Sequence, residues 1–175
     1  MNNRVCKTDA RPPVLDACCG SRMFWFDHSD RRAIFVDKRR ERHTLPDVSS
    51  TGGSRELVID PDVQADFTML PFPDSSFAHI IFDPPHRTRN GAKSWMGLKY
   101  GTLGDDWPEM LRRGFAECFR VLRPEGTLVF KWCEVHIPVS RILELTPERP
   151  LYGHKSGKNG QTHWIVFMKT EEMRG

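Results

Sequence analysis

Short apolar runs alternate with polar breaks marked by glycine and proline, and this pattern predicts strands and helices in turn. Val14-Leu-Asp-Ala-Cys18 reads as a buried strand ended by Cys19-Gly20-Ser21, and a helix is expected through Met23-Phe-Trp-Phe26. Ala33-Ile-Phe-Val36 is the second strand and closes a βαβ unit at Asp37. The basic cluster Lys38-Arg39-Arg40-Glu41-Arg42 is expected to open a solvated turn or helix, and residues 47–56 to form a loop. Leu57-Val-Ile59 and Gln64-Ala-Asp66 compete for the third strand, because Asp60-Pro61 breaks any continuous run; the second segment is favoured. Phe77-Ala-His-Ile-Ile-Phe82 is the fourth strand.

Helical spacing of Met110, Leu111, Phe115, Phe119, Val121 and Leu122 predicts a helix from Trp107 to Leu122, and Pro124-Glu-Gly126 ends it before a strand at Thr127-Leu-Val-Phe130. Pro138 to Leu145 reads as a short helix. The tail reads as two strands, Arg149 to His154 and Thr162 to Met168, around Ser156-Gly-Lys-Asn-Gly160. A parallel sheet with an antiparallel hairpin at one edge results.

The 175 residues suit one domain, 1–175. A net charge of +3 permits contact with phosphates but falls short of a polyanion-coating protein. The opening Met1-Asn-Asn-Arg-Val-Cys-Lys7 lacks a signal-peptide core, and no apolar run approaches the roughly 20 residues of a membrane span, so a cytoplasmic location is expected. Five cysteines, two adjacent at Cys18-Cys19, do not form a secreted disulfide framework. Cys133, His136, His154 and His163 show no zinc spacing, so no metal site is expected.

The candidate chemistry centres on Asp83-Pro84-Pro85-His86, directly after the fourth strand. The carboxyl ends of strands are where ligands bind in open α/β sheets. A carboxylate beside a proline carbonyl supplies two acceptors, which suits an amino group; the alternative is a stiff turn. Asp37 stands about 20 residues beyond Asp16, the separation at which an acidic group reaches ribose hydroxyls, with an ion pair to the neighbouring basic run as the other reading. The Gly-x-Gly-x-x-Gly fingerprint of dinucleotide binding is missing.

Asp16-Ala-Cys-Cys-Gly20, Asp37, Asp66 and Asp83-Pro-Pro-His86, in this order, resemble the motifs of class I S-adenosylmethionine-dependent methyltransferases. The last is similar to the Asp-Pro-Pro-Tyr signature of enzymes that methylate exocyclic amines of adenine or cytosine. With Cys18-Cys-Gly-Ser-Arg-Met-Phe-Trp-Phe26, Ser94-Trp95, Lys99-Tyr-Gly101 and Gly157-Lys158, the chain also resembles small stand-alone methyltransferases of bacteriophages and prophages. The resemblance implies a Rossmann-like α/β fold: a mostly parallel seven-stranded sheet, an antiparallel C-terminal hairpin and helices on both faces. It implies S-adenosyl-L-methionine as cofactor, held by Asp16, Ala17, Cys18, Gly20, Asp37, Lys38, Asp66, Phe67 and Asp83, with Asp83, Pro84, Pro85 and His86 as the catalytic set. His86 stands where the family more often has Tyr, and a histidine there suits stacking on a base or shuttling a proton.

Residues 86–106 form a long glycine-punctuated segment. Arg87, Arg89, Lys93 and Lys99 are interleaved there with Trp95 and Tyr100, which suits a flipped-out or single-stranded nucleic acid or, equally, a lid. Lys131-Trp132 and His154-Lys155 are candidates to edge the same pocket. The expected activity is methylation of adenine N6, before cytosine N4, in DNA or RNA. The alternatives are a small-molecule or side-chain amide acceptor, and a non-catalytic nucleic-acid-binding subunit on the same fold. No stretch is long enough for a target-recognition region, and only 13 residues precede the first strand. Weak sequence specificity, a structured RNA target, or a partner chain that reads the site would each account for this, and a homo-oligomer is compatible with it.

Overall fold

The computed structural model describes residues 12–47, 51–89 and 94–170. Nine strands carry the fold: β1 (Val14–Asp16), β2 (Ala33–Asp37), β3 (Glu41–Pro46), β4 (Ser54–Ile59), β5 (Val63–Gln64), β6 (Phe77–Phe82), β7 (Leu122–Cys133), β8 (Tyr152–Ser156) and β9 (Thr162–Met168). Three α-helices accompany them: α1 (Trp95–Tyr100), α2 (Trp107–Val121) and α3 (Val139–Leu143). Seven strands form one sheet in the order β5-β2-β1-β6-β7-β9-β8. Its pairings are parallel as far as β7, and β9 runs antiparallel to both its neighbours. This is the mostly parallel seven-stranded sheet with an antiparallel C-terminal hairpin that was expected.

Parallel strands buried on both faces read as continuous apolar runs, which is why Ala33–Val36 and Ile80–Phe82 were legible. On one face Leu15, Val36, Ile80, Phe82, Leu128, Phe130 and Phe167 form the main core with Leu111, Phe115 and Cys118 of α2 and Ile142 of α3. Helices on both faces were expected; among the described residues the helix cover is one-sided. Among the described residues the other face carries no helix: Trp25 and Cys19 pack on Ala33 and Phe35, and Phe24 meets Trp164 edge to face at 6.0 Å.

The helix expected through Met23–Phe26 is a series of turns. Arg22 takes a positive φ of 55°, and the Asp27 and Asp30 side chains accept from Ser29 N and Arg32 N. Such local side-chain bonds compete with a helical ladder. The basic cluster opens neither a turn nor a helix in full, since Glu41 begins β3, which pairs antiparallel with β4 in a separate two-stranded sheet. The expected loop at 47–56 is thus shorter; residues 48–50 lie outside the described residues, and Ser54 is already in β4. Leu57-Val-Ile59 belongs to this hairpin, while the edge of the main sheet is Val63–Gln64, continued by Ala65 N donating to Asp37 O at 3.1 Å. The favoured segment is the one that joins the main sheet, shifted by one residue.

After β5 the chain runs without a helix to β6. Arg120 on α2 holds it: its guanidinium donates to the carbonyls of Leu70 and Phe72 and pairs with Asp74, while Glu117 accepts from Leu70 N. Helix α2 approaches closely because residue 114 is glycine. A Cβ there would stand 2.7 Å from both a Phe67 and a Phe82 ring carbon, closer than side-chain packing allows.

Gly114→Ala is therefore expected to destabilise the fold by about 1–3 kcal/mol, read as a lower midpoint in thermal or urea denaturation. An unchanged midpoint would show that α2 can shift away without cost.

Candidate active site

The strand order places β1 between β2 and β6, so the order in which strands are added to the sheet reverses at β1 and a crevice opens at its carboxyl end. The chain leaving β1 is laced on both sides. Ala17 N donates to Ile81 O at 2.9 Å, Cys19 N to Val36 O at 2.8 Å, and Gly20 N to the Asp37 carboxylate at 3.0 Å. Gly20 has φ +49° with nothing within 4 Å of the place a Cβ would occupy, so the turn stays open for a close ligand approach. The resulting cleft has a cavity volume of about 150 Å³.

Four expected groups of residues line it together: Ala17, Cys18 and Gly20 after β1; Asp37 and Lys38 after β2; Phe67; and Asp83, Pro84, Pro85 and His86 after β6. Lys99 and Tyr100 of α1 and Lys131 of β7 complete the wall. Burial first, and the nearby carboxylates after it, push the Cys18 and Cys19 thiols above their usual range, so both stay protonated.

Asp83 is doubly engaged. The Phe82–Phe130 pairing sets it beside Lys131, whose Nζ lies 2.6 Å from Oδ2, and His86 Nε2 lies 3.0 Å from Oδ1. Burial works to raise its pKa, but the His86 hydrogen bond and the Lys131 ammonium outweigh this and hold the carboxyl below the usual value. Lys131 Nζ also stands 5.6 Å from the Phe24 ring centroid and 5.5 Å from that of Trp164. His86 meets the edge of Trp132 at 5.1 Å, and its Nδ1 is buried with no hydrogen-bond partner.

Asp37 closes β2 at the wall of the cleft. It faces the cleft and is also paired with Arg39, whose Nε lies 3.3 Å from Oδ1. Arg39 further reaches the Leu98 carbonyl at 2.8 Å, one of the last carbonyls of α1, and thereby ties α1 to the end of β2.

Several expected residues stand elsewhere. Asp16 does not line the cleft; it is fully buried, accepting from Trp25 Nε1 at 2.7 Å and Cys18 N at 3.2 Å. Asp66 turns back to accept from Thr68 N and Oγ1 at 2.9 and 2.8 Å. Trp132 is a correction to the substrate-facing set: it is fully buried, with Nε1 donating to Ile137 O, and so supports His86 from within the core. Arg89 pairs with exposed Asp105. Trp95, beneath Lys99 Nζ at 5.2 Å, and Arg87, whose carbonyl accepts from Leu103 N, flank the cleft without lining it. His154 and Lys155 lie on the exposed edge strand β8, outside the cleft. Lys93 lies outside the described residues.

Segment 86–106 carries helix α1 and is fastened at its base by Leu103 N to Arg87 O and Gly104 N to Thr88 O. Sequence reasoning missed Phe24, Trp164 and Arg39. The run Phe24-Trp-Phe26 was the available signal: Phe24 lines the cleft and Trp25 packs on Phe35, while Phe26 is exposed.

No family model and no curated protein matches the chain. Solved structures do match. One is a protein from Pyrococcus horikoshii, similar over 90% of this chain and 81% of that one, with 17% identity and a TM-score of 0.55. A TehB-like SAM-dependent methyltransferase from Corynebacterium glutamicum matches over 93% and 83%, with 15% identity and a TM-score of 0.54. A third, the Burkholderia thailandensis 1,6-didemethyltoxoflavin-N1-methyltransferase with bound 1,6-didemethyltoxoflavin and S-adenosylhomocysteine, matches over 90% and 71%, with 13% identity and a TM-score of 0.50. The likeness is one of fold: the chain has the α/β fold of class I methyltransferases.

The buried Asp16 gives a pH test. Burial, opposed by the Trp25 and Cys18 bonds and reinforced by Asp83 and Asp37, raises its pKa to about 7. The folded protein then holds this proton more tightly than the unfolded chain. The resulting stability is complete at acid pH and lost as pH rises to about 7, at up to about 1.4 kcal/mol per pH unit. Urea titrations of the protein and of Asp16→Asn between pH 5 and 7.5 should show the slope in the first and a reduced slope in the second. Parallel slopes would place the titration elsewhere.

Proposed function

We propose that the chain is an S-adenosylmethionine-dependent methyltransferase that modifies an exocyclic nucleobase amine, adenine N6 before cytosine N4, in DNA or RNA. The observation that carries this reading is the position of Asp83-Pro84-Pro85-His86. It follows β6, next to the β1 turn, on the wall of the cleft in a class I methyltransferase fold. The residues present fit the cofactor. The open Gly20 turn would hold its methionine end, Asp37 its ribose hydroxyls, and the buried ring of Phe67 would flank its adenine. When bound, S-adenosylmethionine supplies an electrophilic methyl group.

The chain's own part is to prepare the acceptor. A nucleobase amine is a poor nucleophile because its lone pair is delocalised into the ring. Acceptors on both N–H groups favour the pyramidal form, and they strengthen as positive charge grows on nitrogen. Asp83 and the Pro84 carbonyl take those two hydrogens. Lys131 and His86 keep Asp83 ionised well below neutral pH, so its acceptor strength is constant across the physiological range. Tyr100 and Phe24 supply aromatic faces on the cleft, and Lys99, set between Trp95 and Tyr100 at 5.2 and 5.1 Å, supplies a phosphate partner. Arg87 adds a cation beside this rim, Arg89 is paired with Asp105, and a partner chain is assigned the task of selecting the target.

A second reading keeps the cofactor and exchanges the acceptor for a small molecule. It is favoured by the engagement of both Asp83 oxygens with Lys131 and His86, which an amine would have to share or displace.

Isotopically labelled S-adenosylmethionine, incubated separately with DNA, RNA, nucleosides and protein extract, followed by digestion and mass spectrometry, distinguishes the two. Label on 6-methylaminopurine or 4-methylaminopyrimidine in nucleic acid is expected. Label on carbon, on oxygen or only in a free small molecule overturns the first reading. Asp83→Ala is expected to reduce turnover at least about 100-fold, as loss of one oriented polar group at a reacting centre does, while calorimetry shows cofactor binding retained. Retained turnover would remove Asp83 from the chemistry.

A further inference from the structure

Resting on that reading, we propose that Lys131 is a specificity-determining residue: paired with Asp83, it donates a hydrogen bond to the ring nitrogen that adjoins the acceptor amine. Asp83 and Lys131 together then recognise the amidine edge, a ring nitrogen and an NH2 on one carbon, which adenine and cytosine share.

The sheet itself enforces the pairing. Phe82 and Phe130 are register partners in β6 and β7, both turned into the main core, so the next residue of each strand, Asp83 and Lys131, turns to the other face at the mouth of the cleft. Lys131 is paired across β9 with Trp164, and Phe24 reaches it from the turn that replaces a helix. Two aromatic faces at 5.6 and 5.5 Å steady the ammonium without accepting its hydrogens as an oxygen would. An ammonium has three donors, and among the described residues one oxygen, Asp83 Oδ2 at 2.6 Å, accepts from it. Donor capacity therefore remains on a lysine that is itself part of the cleft wall.

What a ligand meets is an acceptor and a donor side by side. An amine alone satisfies only the acceptor and would leave the ammonium facing unmatched ring carbon, whereas an amine next to a lone-pair nitrogen satisfies both. A buried donor left unpaired is costly, which is how such pairs reject the wrong ligand. A lysine that served only as counter-ion to Asp83 would shift the pH dependence of turnover but would be blind to the atom beside the amine.

That difference supplies the test. The base that takes the label is presented in an oligonucleotide either intact or with the adjacent ring nitrogen replaced by CH: 1-deazaadenine for adenine, 3-deazacytosine for cytosine. The intact base is expected to show a kcat/KM about 10- to 100-fold higher with the wild-type protein, the range set by one good base-edge contact. With Lys131→Met, which keeps the length and apolar stem, the preference is expected to shrink several-fold toward the intrinsic reactivity ratio of the two bases, through loss of rate on the intact one. An equal preference in both proteins overturns the proposal. Should Lys131→Met fail to fold or to bind S-adenosylmethionine by calorimetry, the wild-type ratio decides, a value near one overturning the proposal. Failure of the underlying reading is visible separately, because no methylamino base would then form with the wild type.

Discussion

The chain leaving β1 has no freedom of its own. Strand β1 is three residues long, yet its continuation is hydrogen-bonded to β6 through Ala17, to β2 through Cys19 and to the Asp37 side chain through Gly20. Satisfying these backbone groups from both sides turns a short strand into a fixed loop. Every other part of the site is referred to it. Asp37 is aimed by the bond it accepts from Gly20, and the Asp16–Ile81 register sets Asp83 on the adjoining strand end at the same level. A cleft between two strand ends results because the strand that feeds it sits in the middle of the sheet rather than at an edge.

Charge is arranged around this loop in closed pairs. Asp37 is matched by Arg39 and Asp83 by Lys131, each pair largely shielded from water. Buried ions need partners, and for Asp83 the His86 hydrogen bond and the Lys131 ammonium hold the carboxyl below its usual value against the pull of burial. Asp16 is the contrast: fully buried, it takes its hydrogen bonds among the described residues from Trp25 and Cys18 and has no cation beside it there, and its proton is correspondingly hard to remove. Asp16 and Asp83, close together in one small region, are thus shifted in opposite directions, and the difference lies in their neighbours.

This is also why the sequence was legible in some places and opaque in others. Apolar period and turn residues mark β2, β6, α2 and the β8–β9 hairpin, because each owes its form to local pattern. The order of acidic residues at strand ends located the cleft, since position at a strand's end is a property of the chain itself. What pattern could not supply was direction. Asp16 and Asp66 carry the expected residue type but spend their oxygens on Trp25 and Thr68, and Trp132, adjacent to the cleft-lining Lys131, points the opposite way, as alternate residues of a strand must. The turns at Met23–Phe26 were unreadable for another reason: an apolar run of that length fits a helix or a turn that lays rings on a sheet. Only the bare face formed by Phe35 and Trp164 decides between them.

The one-sided helix cover has a consequence for how the molecule comes together. From Phe77 to Cys133 the chain forms a β6–α2–β7 unit whose strands and helix bury one another within a single stretch of sequence. Among the described residues before it, β1 and β2 are joined by turns that rest on the sheet face at Ala33 and Phe35. The N-terminal strands therefore depend on the later-synthesised half as their template. The cleft wall likewise draws on both halves, from Ala17 after β1 to Lys131 of β7, so it is complete only when the two have come together.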